Sequence, residues 1–359
     1  MKRAHNFSAG PAALPLEVLK QAQEEITNYN GTGSSIMEMS HRGPEYTKVD
    51  ADARDSLKRI LNLGDDFEVL FLQGGASLQF LQVAMNFLGE GETADYINTG
   101  VWSQKAIKEA KAFGNINVAF SSEDSNFNKV PSSEELKLTK NANYVHFTSN
   151  NTIFGTQFDQ EPNTNGVPLV CDASSDFLSR PIDIQKYGLI YAGAQKNLGP
   201  SGVAVIIIKK DFLATIKKDN IPTILDYRTH LPTMFHTPPT FTVYLVSLVL
   251  KWLEEKGGLP YFEKLNTRKA ELLYGTIDSD DFYRGTAEFN SRSKMNVTFR
   301  LPSEELEENF LKEALAHDLV ALEGHRSVGG IRASIYNACE MNSVEALTDF
   351  MKDFRSKNG

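Results

Sequence analysis

Short apolar runs that read as strands alternate with helix-period segments through the first two-thirds of this chain, and that alternation limits the folds open to it. Residues 68–73 form an apolar run that stops at Gly74 and Gly75. Residues 77–88 then carry Leu78, Leu81, Ala84, Met85 and Leu88 at helical spacing. A strand therefore feeds a glycine turn and then a helix. Further strands are predicted at 94–98, 117–120, 144–148, 168–171, 189–192 and 203–208, with helices between several of them, as at 103–113. Their near-continuous apolar character predicts a sheet covered on both faces. A helix at 241–255 is followed by a change of composition at 256–260. Beyond it the predicted order is helix 261–276, strand 295–301, helix 303–317, strands 320–323 and 330–335, and helix 343–354. The expected architecture is α/β: a large domain, 16–255, with a mainly parallel sheet covered by helices, plus a smaller C-terminal α+β domain, 256–359.

Bulk properties narrow the function. A chain of 359 residues, 41 % apolar, buries enough surface for about two domains. Its net charge of −9 argues against nucleic-acid or anionic-membrane partners, which call for a basic surface. The most apolar later segment, 243–250, is far shorter than the ~20 residues of a membrane span. Lys2 and Arg3 are not followed by an apolar run of signal-peptide length. Cys171 and Cys339 provide neither a disulfide framework nor metal-ligand spacing, so the expected home is a reducing cytoplasm and no metal is expected.

The chemistry begins at Lys196, which follows an apolar strand in the glycine-flanked run Gly193-Ala194-Gln195-Lys196-Asn197. Asp172 ends the preceding strand. A lysine amine and a carboxylate delivered from two strand ends suit pyridoxal 5′-phosphate: the amine forms the Schiff base, and the acid keeps the pyridine nitrogen protonated. Gly74-Gly75-Ala76-Ser77 at a strand-to-helix turn offers backbone N–H groups and a helix dipole to a phosphate. It lacks the lysine of a P-loop. Trp102, just past another strand, could stack on a cofactor ring, and Thr152 could hydrogen-bond its phenolic oxygen. These strand ends would converge where open α/β sheets bind ligands. His41 with Arg42, and His325, Arg326 and Arg332, place cations in glycine-bearing turns suited to gripping small polyanions.

These residues, with Asn6-Phe7-Ser8-Ala9-Gly10-Pro11-Ala12, Thr237-Pro238-Pro239-Thr240 and Gly330-Ile331-Arg332-Ala333-Ser334, mark a resemblance over nearly the whole chain. It resembles the phosphoserine aminotransferase branch of the class V, fold-type I pyridoxal phosphate enzymes. The resemblance implies amino transfer between L-glutamate and 3-phosphohydroxypyruvate, giving O-phospho-L-serine and 2-oxoglutarate in serine biosynthesis. A second activity toward 4-phosphohydroxythreonine in pyridoxine biosynthesis stays open. Lys196 and Asp172 are implied to be catalytic, and Trp102 and Thr152 to contact the ring. Ala76, Ser77 and Gln195 would hold the phosphate, with His236 and Thr237 reaching in from the second subunit of a homodimer with shared active sites. His41, Arg42, Arg332, His325 and Arg326 would bind substrate, and residues 1–15 would form an arm near the site. The chain departs from the pattern at Ala76-Ser77, where some members carry Arg, and at His236, where others often carry Asn. The competing assignment is another class V enzyme, such as an alanine–glyoxylate-type aminotransferase. A cysteine desulfurase would need a nucleophilic cysteine on a mobile loop, which neither cysteine suits.

Overall fold

The computed structural model describes residues 3–359; Met1 and Lys2, the start of the expected arm, lie outside the described residues. The chain enters as strand β1 (His5–Asn6), then helices α1 (Leu16–Glu25) and α2 (Pro44–Leu61). Sequence patterning did not predict either helix, although Tyr46, Val49, Ala53, Leu57 and Leu61 recur on one face of α2 and are all buried. The abundant charge between them masks that stripe.

The alternating segment folds as expected. Strand β2 (Phe67–Leu72) leads through Gly74 into α3 (Gly75–Phe87); β3 (Thr93–Asn98) leads into α4 (Val101–Ala110) and β4 (Asn115–Ser121). Strand β5 (Val145–Thr148) is followed by a small hairpin, β6 (Asn150–Asn151) and β7 (Thr156–Gln157). Strands β8 (Leu169–Asp172), β9 (Tyr187–Gly193) and β10 (Ala204–Lys209) follow, and a single turn, α5 (Lys210–Leu213), ends the series. Seven strands form one sheet in the order β2-β10-β9-β8-β5-β3-β4. Only β10 runs against its neighbours.

Strand geometry explains why these runs lack polar alternation. Phe67, Val69 and Phe71 face one layer while Leu70 and Leu72 face the other, because successive side chains point to opposite faces. The first row packs with α2 and with α6 (Thr240–Glu255). The second packs with α3 and α4. Both rows are buried, so both must be apolar.

Helix α7 (Gly258–Ile277) starts directly behind α6, so the composition break at 256–260 is a junction of two helices. Leu259 and Phe262 at its start belong to the core around α6, whereas Ala270, Leu273 and Ile277 belong to a third core. That core lies among α7, α8 (Glu304–Ala316), α9 (Met341–Asn358) and a three-stranded sheet of β11 (Arg284–Gly285), β12 (Asn296–Arg300) and β14 (Ile331–Ser334). The chain's start joins the same unit: β1 pairs in parallel with β13 (Leu319–Val320), and Phe7 is buried in the third core.

Candidate active site

The C-terminal ends of the parallel strands, the α3 N-terminus and β14 surround a cavity of about 570 Å³. Asp172 is the last residue of β8 and is 4 % exposed. Ser174 donates to its Oδ1 from both the backbone N–H (3.0 Å) and the hydroxyl (2.6 Å), and Asp172 lines the cavity. The Ser174 hydroxyl in turn accepts from the Gly193 N–H at 3.0 Å, so one oxygen ties the end of β9 to the carboxylate at the end of β8. Burial raises the Asp172 pKa, opposed by the charge of Lys196 and by the Ser174 hydrogen bonds.

Lys196 lies three residues beyond β9. Its Nζ donates to Thr152 Oγ1 at 2.6 Å and sits 5.4 Å from the centre of the Trp102 ring. Burial pushes the amine down to about 8, with Arg332 adding to the shift and Asp172 opposing it. Thr152 is presented by the turn of the β6–β7 hairpin, and its carbonyl accepts from Arg332 Nη1 at 3.3 Å. Arg332, on β14, brings the C-terminal unit into contact with the sheet's site. The arm closes a further side: Ala12 N–H donates to Gln195 O at 2.9 Å, and a Cβ on Gly10 would meet Lys196 Cγ at 3.4 Å.

Gly74 shapes the turn before α3. Its φ of 89° is left-handed, and a Cβ there would lie 2.7 Å from Leu78 Cδ2, so only glycine fits. Gly75 also has positive φ, with open space where a side chain would be.

Of the residues singled out by sequence, the cavity gathers Ala76, Ser77, Trp102, Thr152, Asp172, Gln195, Lys196, His325 and Arg332. His41, Arg42, His236, Thr237 and Arg326 do not line it in the single chain. His236 packs instead on His230, with the two Nδ1 atoms 3.3 Å apart; burial lowers its pKa, with His230 and then His41 adding to the shift. Thr237 O accepts from Gln73 Nε2 at 2.6 Å, close in sequence to the glycine turn but outside the cavity. Ser174, Phe80 and Ile153 were not predicted as site residues; Ser174 was legible in the run after Asp172, while Phe80 and Ile153 carry no local signal. A larger groove of about 780 Å³ includes Lys186, but this lysine is half-exposed and paired with Glu161, so size does not locate the chemistry. Both cysteines are buried with thiol pKa values raised by burial, which removes the desulfurase alternative.

The family model for aminotransferase class V matches residues 4–347. The chain belongs to the class V aminotransferases. Within this family it is 56 % identical to the phosphoserine aminotransferase of Desulfosudis oleivorans, covering 100 % of the chain and 99 % of the relative. It is 55 % identical to that of Geobacillus kaustophilus, with 99 % of each covered. The phosphoserine aminotransferase structure from Bacillus circulans subsp. alkalophilus superimposes with a TM-score of 0.97 at 52 % identity over 100 % of both chains. The PLP-bound enzyme from Trichomonas vaginalis gives 0.93 at 41 % identity, over 98 % of this chain and 100 % of that one. An aspartate aminotransferase of subgroup IV from Thermus thermophilus shares the fold alone at 19 % identity, TM-score 0.80, covering 98 % of this chain and 99 % of that one.

Class V aminotransferases use pyridoxal phosphate, and this cavity fits it. An amine depressed toward neutrality, a buried carboxylate on the cavity wall, a flanking indole and a glycine-bearing helix N-terminus are the donor set that such a ring and its phosphate require.

Proposed function

We propose that this aminotransferase transfers the amino group between L-glutamate and 3-phosphohydroxypyruvate, forming O-phospho-L-serine and 2-oxoglutarate. The observation that carries the reading is Lys196 facing the cavity beside Asp172 and Arg332, in a chain 56 % identical to a phosphoserine aminotransferase over its full length. When bound, pyridoxal phosphate supplies an electrophilic carbon and an electron sink for the substrate's Cα electrons. Lys196 would hold that carbon, Asp172 the proton on the pyridine nitrogen, and Thr152 the ring oxygen. Trp102 would flank the ring, while Ala76, Ser77 and Gln195 would receive the phosphate at the start of α3.

The chain's own proton chemistry follows from burial. With its pKa near 8, the freed Lys196 amine is partly neutral at physiological pH and can take a proton from the substrate Cα and deliver it to the carbon on the far side of the amino nitrogen, the one it had itself held. Arg332 is half-buried and directed at the same cavity, which suits a substrate carboxylate; His325 stands at the rim. His41, Arg42, Arg326, His236 and Thr237 lie outside the single-chain cavity, and we assign them to a shared site in a homodimer. Serine biosynthesis in the cytoplasm is the proposed setting, and the division into an arm, a large cofactor domain and a small C-terminal domain is proposed with it. No helix is long and apolar enough to cross a membrane among the described residues.

Absorbance provides the test. Protein loaded with pyridoxal phosphate is expected to absorb near ~420 nm and to lose that band toward ~330 nm on adding glutamate. Phosphohydroxypyruvate should then restore it far faster than pyruvate or glyoxylate does. No visible band would remove the Lys196 assignment, and indifference to the acceptor's phosphate would favour the alanine–glyoxylate-type alternative.

A further inference from the structure

Lys269, on α7, is 0 % exposed, and the chemistry above makes no use of it. Its ammonium donates to three main-chain carbonyls, those of Ile335 (2.8 Å), Tyr336 (2.7 Å) and Cys339 (3.0 Å). A lysine ammonium has three N–H donors, so each one has a partner. Burying a cation is costly, and a methionine would fill the same volume without that cost. What the cation adds is the fixing of one short segment, 335–339, which follows the end of β14 and begins three residues after Arg332.

That segment is where the C-terminal unit is joined to two parts of the site. Tyr336 Oη donates to Ala9 O at 2.8 Å, holding the arm whose Ala9, Gly10 and Pro11 line the cavity. The Asn337 backbone N–H donates to Asn197 Oδ1 at 2.9 Å, on the residue next to Lys196. Asn337 Nδ2 donates to Leu178 O at 2.9 Å, and its Oδ1 accepts from Asn266 on α7 at 2.8 Å. Tyr336 and Asn337 are both buried.

We infer that Lys269 is a positioning residue for substrate binding: by fixing the 335–339 carbonyls it keeps Tyr336 and Asn337 engaged with the arm and with the lysine turn. The inference rests on the proposed role of Arg332 in holding substrate, in a cavity whose wall the arm completes. Asp172 and Lys196 are carried by the sheet and its turn, so loosening the segment acts on substrate affinity more than on the cofactor's attachment.

The test uses the full-length, cofactor-loaded enzyme. Lys269→Met is expected to raise KM for glutamate about tenfold with a smaller change in kcat and an unaltered visible band. Amide exchange should rise in peptides covering 5–15 and 333–340 and not in those covering β8. Tyr336→Phe removes the hydroxyl that donates to Ala9 O and accepts from Asn296 Nδ2 at 3.1 Å, and is expected to raise KM about three- to tenfold. In the Tyr336→Phe background the Lys269→Met effect on KM should shrink, since the Ala9 contact, one of the two that Lys269 supports, is already gone. Unchanged exchange in the arm, equal multiplicative effects in the double variant, or a normal KM in Tyr336→Phe would each overturn the inference. The last measurement decides it even if Lys269→Met fails to fold. A wild-type enzyme inactive on glutamate and the phosphorylated acceptor would sink the functional reading alone, because the exchange pattern is read without turnover.

Discussion

Replacing Ser174 with alanine tests the linkage between the two strand ends that form the site. The hydroxyl donates to Asp172 Oδ1 at 2.6 Å and accepts from the Gly193 N–H at 3.0 Å, and all three residues are buried. Its removal deletes a hydrogen bond to a charged acceptor, worth about 1.5–3 kcal/mol, and orphans a buried donor at about 1–3 kcal/mol. Allowing for partial relaxation, we expect Ser174→Ala to lose about 3 kcal/mol of unfolding free energy at neutral pH. A second consequence follows from the sign of the titration. Burial already raises the Asp172 pKa, and the hydroxyl opposes that rise. Without it the pKa climbs further, because one hydrogen bond that favours the charged form is gone. Because the carboxylate is the working form, activity is lost as pH falls through this pKa, so the acid limb of the rate profile moves to higher pH. In acid, where Asp172 is protonated in both proteins, the stability cost falls toward the Gly193 contribution alone. Urea unfolding of cofactor-free protein at several pH values, with a kcat profile of the loaded enzyme, measures both effects. Ser174→Thr, which keeps the hydroxyl, serves as the control. A loss below about 1 kcal/mol together with an unmoved acid limb would refute the reasoning.

Three other outcomes are expected. Lys196→Arg should abolish both the visible band and turnover, since a guanidinium stays protonated and cannot take the substrate proton; steady transamination by the variant would dismiss Lys196. Gly74→Ala forces a side chain into a left-handed φ and against Leu78, costing about 1–3 kcal/mol and weakening affinity for pyridoxal phosphate, as equilibrium dialysis would register. Cofactor-free protein should gain stability between pH 8 and 9. Lys196 and Lys269 are pushed down to about 8 from 10.5, so the unfolded chain binds more protons there and stability rises with pH, by up to about 1 kcal/mol per unit for each lysine. Above that window the buried thiols and phenols, shifted upward, reverse the slope. A flat urea midpoint from pH 8 to 9, unaffected by Lys196→Met, would count against both lysine shifts.

The strands, the glycine turn and the Lys196–Asp172 constellation were legible in the sequence because each is local. A strand buried on both faces must be apolar throughout, a left-handed turn against Leu78 must be glycine, and a strand end announces itself where the apolar run stops. Helix α2 was missed because its buried stripe is diluted by charge. The expected break at 256–260 became a helix junction because α7 spans two cores, which no local pattern reports. The order of the seven strands and the reversal of β10 are likewise decided by long-range pairing. So is the meeting of residues from distant parts of the chain. Arg332 reaches Thr152 across 180 positions, and Tyr336 reaches Ala9 across 327. Sequence alone determined which chemical groups this protein carries and on which element each one sits, since backbone geometry and burial act over a few residues. Which of those groups share one cavity, and that a buried lysine outside it ties its walls together, depended on packing between segments far apart in the chain, where only the tertiary structure brings the partners within hydrogen-bond distance.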